Sequence, residues 1–413
     1  MKATVAHRRP AAVRGFTSGS PGPMTSLMFA RLRTRRALIL GLLVVATLAA
    51  LAVTPWVMWR AQDAKRLDVI VIDKTVAKAD YRKHKGLFWV LRHEKVVQRS
   101  TGRPLADDRD YAGYQHGPDG EPRIVPIPTR PADLVYIADT YGVYQDDLKG
   151  RPLGLRSNLI YGGMSAEEVR TTLADLRPGA TLIGEFNCLA SPTVGAAREA
   201  LSDALGATWT GWIGRHFAYL DLTVDMPLWI PRTWRRQTGK PWRFRGPGYV
   251  FVNEQGWLVV LVEGIDTPQR ALKVNVTPDA AERYGTVRRQ TWDYWFEVME
   301  PRPGAEVLAT FSLDLTPSGR EKIKGVPVDK PFPAVLRTRR PGHLAYYFAG
   351  DFADQPKVPS SYRYKWLPKI KAWLGAEHRD DQQAFFWRVY TPMMQRIIED
   401  AWKTSGSAGA QQR

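Results

Sequence analysis

Cysteine is nearly absent: the 413-residue chain has one, Cys188. A lone cysteine forms no internal disulfide, so stability has to come from an ordinary apolar core. Metal-ligand patterns are missing too. The seven histidines include no HxxxH pair, and His84 and His93, nine residues apart, read as members of a solvated helix face. There is no GxxxxGK[ST] phosphate loop and no internal repeat. Neither a metal nor a cofactor is expected.

Acidic residues are missing from 1–36, where Lys2, Arg8, Arg9, Arg14, Arg31, Arg33, Arg35 and Arg36 stand. Eight of the eighteen net positive charges thus sit in one short tail, which removes most of the case for nucleic acid as a partner. Charge of either sign is missing from 37–59, ALILGLLVVATLAALAVTPWVMW. A helix of that length reaches roughly 34 Å, enough for a hydrocarbon core of about 30 Å. The run is also longer than the roughly 7–15-residue core of a cleavable signal. Arginines on its N-terminal side place that end in the cytoplasm, and Trp56 and Trp59 suit the opposite interface. The expectation is a single-pass protein of a bacterial inner membrane, its main part periplasmic or extracellular and the lipid bilayer its first partner.

What is present after the span is globular: 44% apolar and 11% aromatic residues exclude a mainly disordered chain. Residues 1–36 read as a disordered tail, 60–66 as a stalk, and 67–222 as an α/β domain. A β-rich extension follows at 223–363, then terminal helices at 364–403 and a loose tail at 404–413. Strands are expected at 67–76, 133–138, 157–161 and 180–185, with helices at 81–95 and 165–176. The second helix opens on the capping box Ser165-x-x-Glu168, and Ser191-Pro192 reads as the start of another that ends at Gly206. Residues 99–130 read as a surface insertion. Alternating strands and helices predict a doubly wound parallel sheet, with the later strands added to it or packed on it.

Ligands of such sheets bind beyond the carboxyl ends of the strands. That edge gathers Asp73 and Lys74, Asp139 and Tyr141, Gly162 and Gly163, and Glu185 with Asn187 and Cys188. A second candidate is the aromatic and basic stretch 227–247. Its Trp234, Arg235, Arg236, Trp242 and Arg243 could read an anionic glycan, lipid headgroups or an envelope protein, or could simply pack their rings inward.

A strand, a turn carrying Cys188 and a helix start resemble the nucleophile position of the class I glutamine amidotransferase-like superfamily. IYGGMS (160–165) is similar to its oxyanion-side loop, and AYYFAGD (345–351) to its trehalose-utilisation-like branches. The resemblance implies a flavodoxin-like sheet. It departs from the catalytic pattern: no glycine flanks Cys188, and neither His216 nor His343 is followed two residues later by glutamate. The expected function is therefore a non-catalytic binding or assembly protein of the cell envelope. The alternatives are a hydrolase or amidotransferase-like enzyme, with Cys188 helped by Glu185 or His216, and a structural subunit of a membrane complex.

Overall fold

The computed structural model describes residues 23–116, 121–148, 157–221, 226–375 and 381–411. Helix α1 (Pro23–Arg60) begins well before the apolar run, because Pro23 suits a first helical turn and no second proline follows until Pro55. Residues 23–36, expected to be disordered, are thus helical, while 1–22 lie outside the described residues. Leu38–Arg60 is long and apolar enough to cross a membrane. Its large side chains from Leu38 to Val53 are exposed, as lipid-facing ones would be.

Met58–Arg413 forms a second unit. Its first half contains β1 (Val69–Asp73), α2 (Arg82–His93), β2 (Ala112–His116), β3 (Pro122–Val125), β4 (Ala132–Asp139), α3 (Ala166–Ala174), β5 (Leu176–Glu185) and α4 (Gly195–Leu205). Then come β6 (Ala207–Phe217), α5 (Trp229–Thr238), β7 (Gly248–Asn253), β8 (Leu258–Val262), β9 (Leu272–Val276), β10 (Arg289–Thr291) and β11 (Trp295–Pro301). The chain closes with β12 (Ala305–Leu313), β13 (Phe332–Arg340), β14 (His343–Phe348), α6 (Leu367–Leu374), α7 (Asp381–Phe385) and α8 (Thr391–Gln411).

Ten strands make one mixed sheet, in the order β10-β9-β12-β13-β14-β5-β4-β1-β2-β3. The middle five, β14 to β2, are parallel, and antiparallel strands extend both edges. β1 reads VIVID and is buried along its whole length, as a strand covered on both faces must be. The later strands do both things expected of them. β9, β10 and β12 to β14 extend the large sheet, while β8-β7-β6-β11 form a separate antiparallel one.

Several boundaries differ from the sequence reading. Leu159–Tyr161 joins no main sheet; it pairs with Val143–Tyr144 and is partly exposed. The stretch 99–130 supplies β2 (AGYQH) and β3 (PRIV), each too short to carry a clear strand pattern. Ser191–Pro192 is a cis peptide, and α4 opens only at Gly195 behind Val194. His84 and His93 are buried, because α2 lies against α8 as well as against the sheet. Pro392 stands in the first turn of α8, directly after a π-helical turn at Phe386–Tyr390. Thr404 and Ser405 donate to the carbonyls of Asp400 and Trp402, and α8 continues to Gln411 where a loose tail was expected.

The approach of β2 to β1 depends on Gly113. Its φ is +142°, and a Cβ there would lie 1.8 Å from the Asp73 carbonyl oxygen. Gly113→Ala is expected to cost more than about 2 kcal/mol of stability, read as a lower urea midpoint; an unchanged midpoint would contradict this packing.

Candidate functional site

The carboxyl ends of β1, β4 and β5 open onto a cavity of about 570 Å³. Each strand end contributes polar groups to its wall: Thr75 after β1, Asp139 and Tyr141 at the end of β4, and Asn187 after β5. Aromatic faces complete the lining, from Tyr144, Phe186, Trp209, Trp229 and Trp295. Asp147, Asn253 and Glu254 add further acceptors, and Lys83 is the one cation among the described lining residues.

Asp139 is fully buried and well held. Its Oδ1 accepts from Thr75 Oγ1 at 2.8 Å and from the Tyr141 amide at 2.7 Å. Lys83 Nζ lies 3.6 Å from the other oxygen. Burial raises the Asp139 pKa; Lys83 opposes that rise and the nearby Asp73 adds to it.

Lys83, on the first turn of α2, is the hub beneath the cavity. Its ammonium is 2.5 Å from Asp351 and 3.1 Å from Asp354, just past the end of β14. Arg82 binds the second carboxylate through Nε at 2.5 Å. Burial works against the Asp354 carboxylate, but Lys83 and Arg82 together outweigh it and hold its pKa below the usual aspartate value. Asp351 is pushed well up, by burial first, with Lys83 offsetting only part of the rise.

The turn after β5 is strained at Asn187, whose φ is +69°. Its amide donates to Glu297 Oε1 at 3.2 Å, and its carbonyl accepts from Thr140 Oγ1 at 3.1 Å. The side chain at this corner of the turn is a buried carboxamide that lines the cavity. Cys188, one residue later, points the other way and is fully buried. Burial, then the charge of Glu297, pushes its thiol pKa well up, and Tyr347 hydrogen-bonds to it. The proposed helpers are engaged elsewhere. Glu185 accepts from Tyr136 at 2.6 Å and from the Ala353 amide at 2.7 Å, while His216 lies 2.9 Å from Glu263.

Of the residues expected at this edge, Asp139, Tyr141 and Asn187 meet in the cavity. The others turn inward. Asp73 pairs with His84 at 2.6 Å, and Lys74 binds Glu168 at 2.6 Å and the Gly163 carbonyl at 2.7 Å. Gly162 and Gly163 serve packing: a Cβ on Gly162 would meet the Gly142 Cα at 2.7 Å, and one on Gly163 the Pro192 oxygen at 2.9 Å. Sequence reading missed Lys83, Asp351, Asp354 and Glu297. Asp351 had a usable signal, since it follows the strand of the AYYFAGD stretch and so lies at the same sheet edge as Asp139. Among the described residues no three His, Cys, Asp or Glu side chains are arranged to hold a metal ion.

The basic aromatic stretch divides. Trp234 and Trp242 both pack on Phe244, with ring centroids 4.9 and 4.8 Å away, beside a small core that includes Ile230 and Val252. Arg235, Arg236 and Arg243 are exposed. The rings thus stabilise α5 while the guanidinium groups face water.

No protein-family model matches the chain, and no curated sequence matches it. Among solved structures, it is similar to a catalytic mutant of a GH42 β-galactosidase from G. stearothermophilus (9% identity, TM-score 0.30, covering 76% of this chain and 30% of that one). A cytoplasmic protein from Salmonella typhimurium LT2 matches at 11% identity and TM-score 0.34, over 80% of this chain and 98% of that one. A thua-like protein from Bacteroides uniformis matches at 8% identity and TM-score 0.32, over 78% and 97%. The chain spans about 30% of the length of the galactosidase it matches. Likenesses this distant bear on neither activity nor ligand.

Two variants probe this electrostatic arrangement. Lys83→Met leaves Asp351 and Asp354 without their shared cation, and a loss of about 3–5 kcal/mol is expected in denaturant titration; near-neutral stability would contradict the hub. Glu297 is pushed up to about 8, chiefly by burial, so the folded state keeps its proton while the unfolded chain releases it near 4.5. Between those values each pH unit favours unfolding by about 1.4 kcal/mol. Glu297→Gln removes that drift, so its melting temperature should gain steadily on the parent from about pH 5 to about pH 8. A constant difference across that window would show that Glu297 ionises normally.

Proposed function

We propose that this is a membrane-anchored binding protein of the bacterial envelope, with α1 as its span, its N-terminus cytoplasmic and its second unit outside. The cavity at the strand ends takes a sugar. The observation that carries this reading is the pairing of aromatic faces with carboxylate and carboxamide groups around one cavity. A pyranose offers an apolar C–H face to Trp209, Trp229 or Trp295, and hydroxyls to Asp139, Asn187, Asp147 or Glu254. Because the one lining cation is already shared by Asp351 and Asp354, a neutral or amine-bearing sugar fits better than an anionic glycan.

The protonated, buried thiol of Cys188 supports binding over thiol catalysis. So does the carboxamide of Asn187 at the strained corner, which is no nucleophile. The five parallel strands, taken in chain order, lie in the sheet as 2-1-3-4-5, and this supports a flavodoxin-like, amidotransferase-like ancestry.

Calorimetry with neutral and amino oligosaccharides on the full chain in nanodiscs tests the reading. Trp209→Ala and Trp295→Ala should each weaken binding about tenfold, with Arg235→Glu plus Arg236→Glu leaving it unchanged. Affinity that survives loss of both tryptophans would sink the cavity as the sugar site. A second reading, proton transfer by Asp139, is favoured by that group's raised pKa at the cavity wall. New reducing ends that disappear in Asp139→Asn would carry it.

A further inference from the structure

The segment Tyr362–Leu374 is unlike the rest of the second unit's surface. Trp366, Ile370, Trp373 and Leu374 are exposed there, Trp373 by 73%. Spacings of four, three and seven residues put Trp366, Ile370 and Trp373 on one face of α6 and the turn before it. Large apolar side chains gathered on one exposed face mark a contact surface rather than ordinary solvated structure.

The charge along the segment itself has one sign. From Pro356 to Gly375 the sequence holds Lys357, Arg363, Lys365, Lys369 and Lys371 and no acidic residue. Long cationic side chains beside an exposed aromatic face allow the stems to lie along hydrocarbon while the charges reach headgroups. Position supplies the third observation. Trp59, the last residue of the uncharged run, meets Tyr362 edge-on with ring centroids 5.7 Å apart. Its indole N–H donates to the His93 carbonyl at 2.7 Å, and His93 Nδ1 lies 2.8 Å from the Tyr362 carbonyl. The start of this segment is thereby tied to the residue at which the chain would leave the bilayer.

We propose that Tyr362–Leu374 is a second membrane contact, with α6 lying in the interface of the anchoring bilayer and its basic residues on anionic lipid headgroups. This rests on the reading of α1 as a span.

The single native thiol, Cys188, is fully buried, so a cysteine placed at 373 can be labelled selectively. Trp373→Cys, carrying an environment-sensitive fluorophore, is placed as the full chain in nanodiscs of phosphatidylglycerol or phosphatidylcholine with brominated acyl chains. Trp257→Cys, at another exposed tryptophan, is the control. The label at 373 should be quenched roughly twofold or more above the control in phosphatidylglycerol, and less in phosphatidylcholine. Adding Lys365→Glu and Lys369→Glu should abolish the excess. A chain that resists alkaline extraction yet shows no excess quenching at 373 overturns the second contact and leaves the anchor standing. Shielding of the label that rises with protein concentration, without quenching, also overturns it and makes a second copy of the chain the occupant. Release of the chain by alkali sinks the anchor, and the second contact with it.

Discussion

One ammonium group, Lys83 Nζ, faces carboxylates from separate parts of the chain: Asp139 at the end of β4, and Asp351 and Asp354 after β14. Those carboxylates are almost completely removed from water, and without a shared cation their mutual repulsion and desolvation would open the sheet edge. Arg82 braces the same cluster from one residue earlier and donates to Tyr294 at 3.1 Å. The first turn of α2 therefore pins the return of the chain after β14 to the strand ends. Lys83 also lines the cavity, so the pinned return lies directly behind one of its walls. The cavity floor is charged and internally neutralised, while its walls present polar groups and aromatic faces.

The turn after β5 shows how the neighbourhood chooses among residues that a motif would treat alike. Asn187 and Cys188 are adjacent, yet the left-handed backbone at Asn187 directs the amide toward the cavity and the thiol toward Tyr347 and Glu297. Asparagine tolerates that conformation better than most residues, which gives it a structural reason to stand there. A low-dielectric pocket then keeps the thiol protonated. For Cys188 this follows from burial, independently of any departure from a family pattern.

Much of the molecule was legible along the chain because the signals are local. The Ser165–Glu168 capping box is present as written, with both reciprocal hydrogen bonds. The alternation of β1, α2, β4, α3 and β5 depends on neighbouring residues, and these elements fell close to where periodicity put them. Three cavity residues were within reach for the same reason, since strand ends can be read from strands. Lys83 and Glu297 were not. Lys83 looks like any lysine in a helix's first turn, and Glu297 occupies a strand interior whose partners lie 110 and 50 residues away. His84 and His93 misled because a helix covered on two sides has no solvated face to find.

The sequence by itself determined the uncharged run that ends at Trp59, the single thiol, and the alternation of β1, α2, β4, α3 and β5. All of these are properties of short stretches, set by composition, capping and periodicity. Only the tertiary structure decided that β14 returns as a parallel neighbour of β5, that Lys83 meets three aspartates, and that Asn187 rather than Cys188 faces the cavity. Those outcomes depend on which distant groups share a desolvated volume. Pairwise contacts across hundreds of residues, not the preferences of any one segment, settle that question.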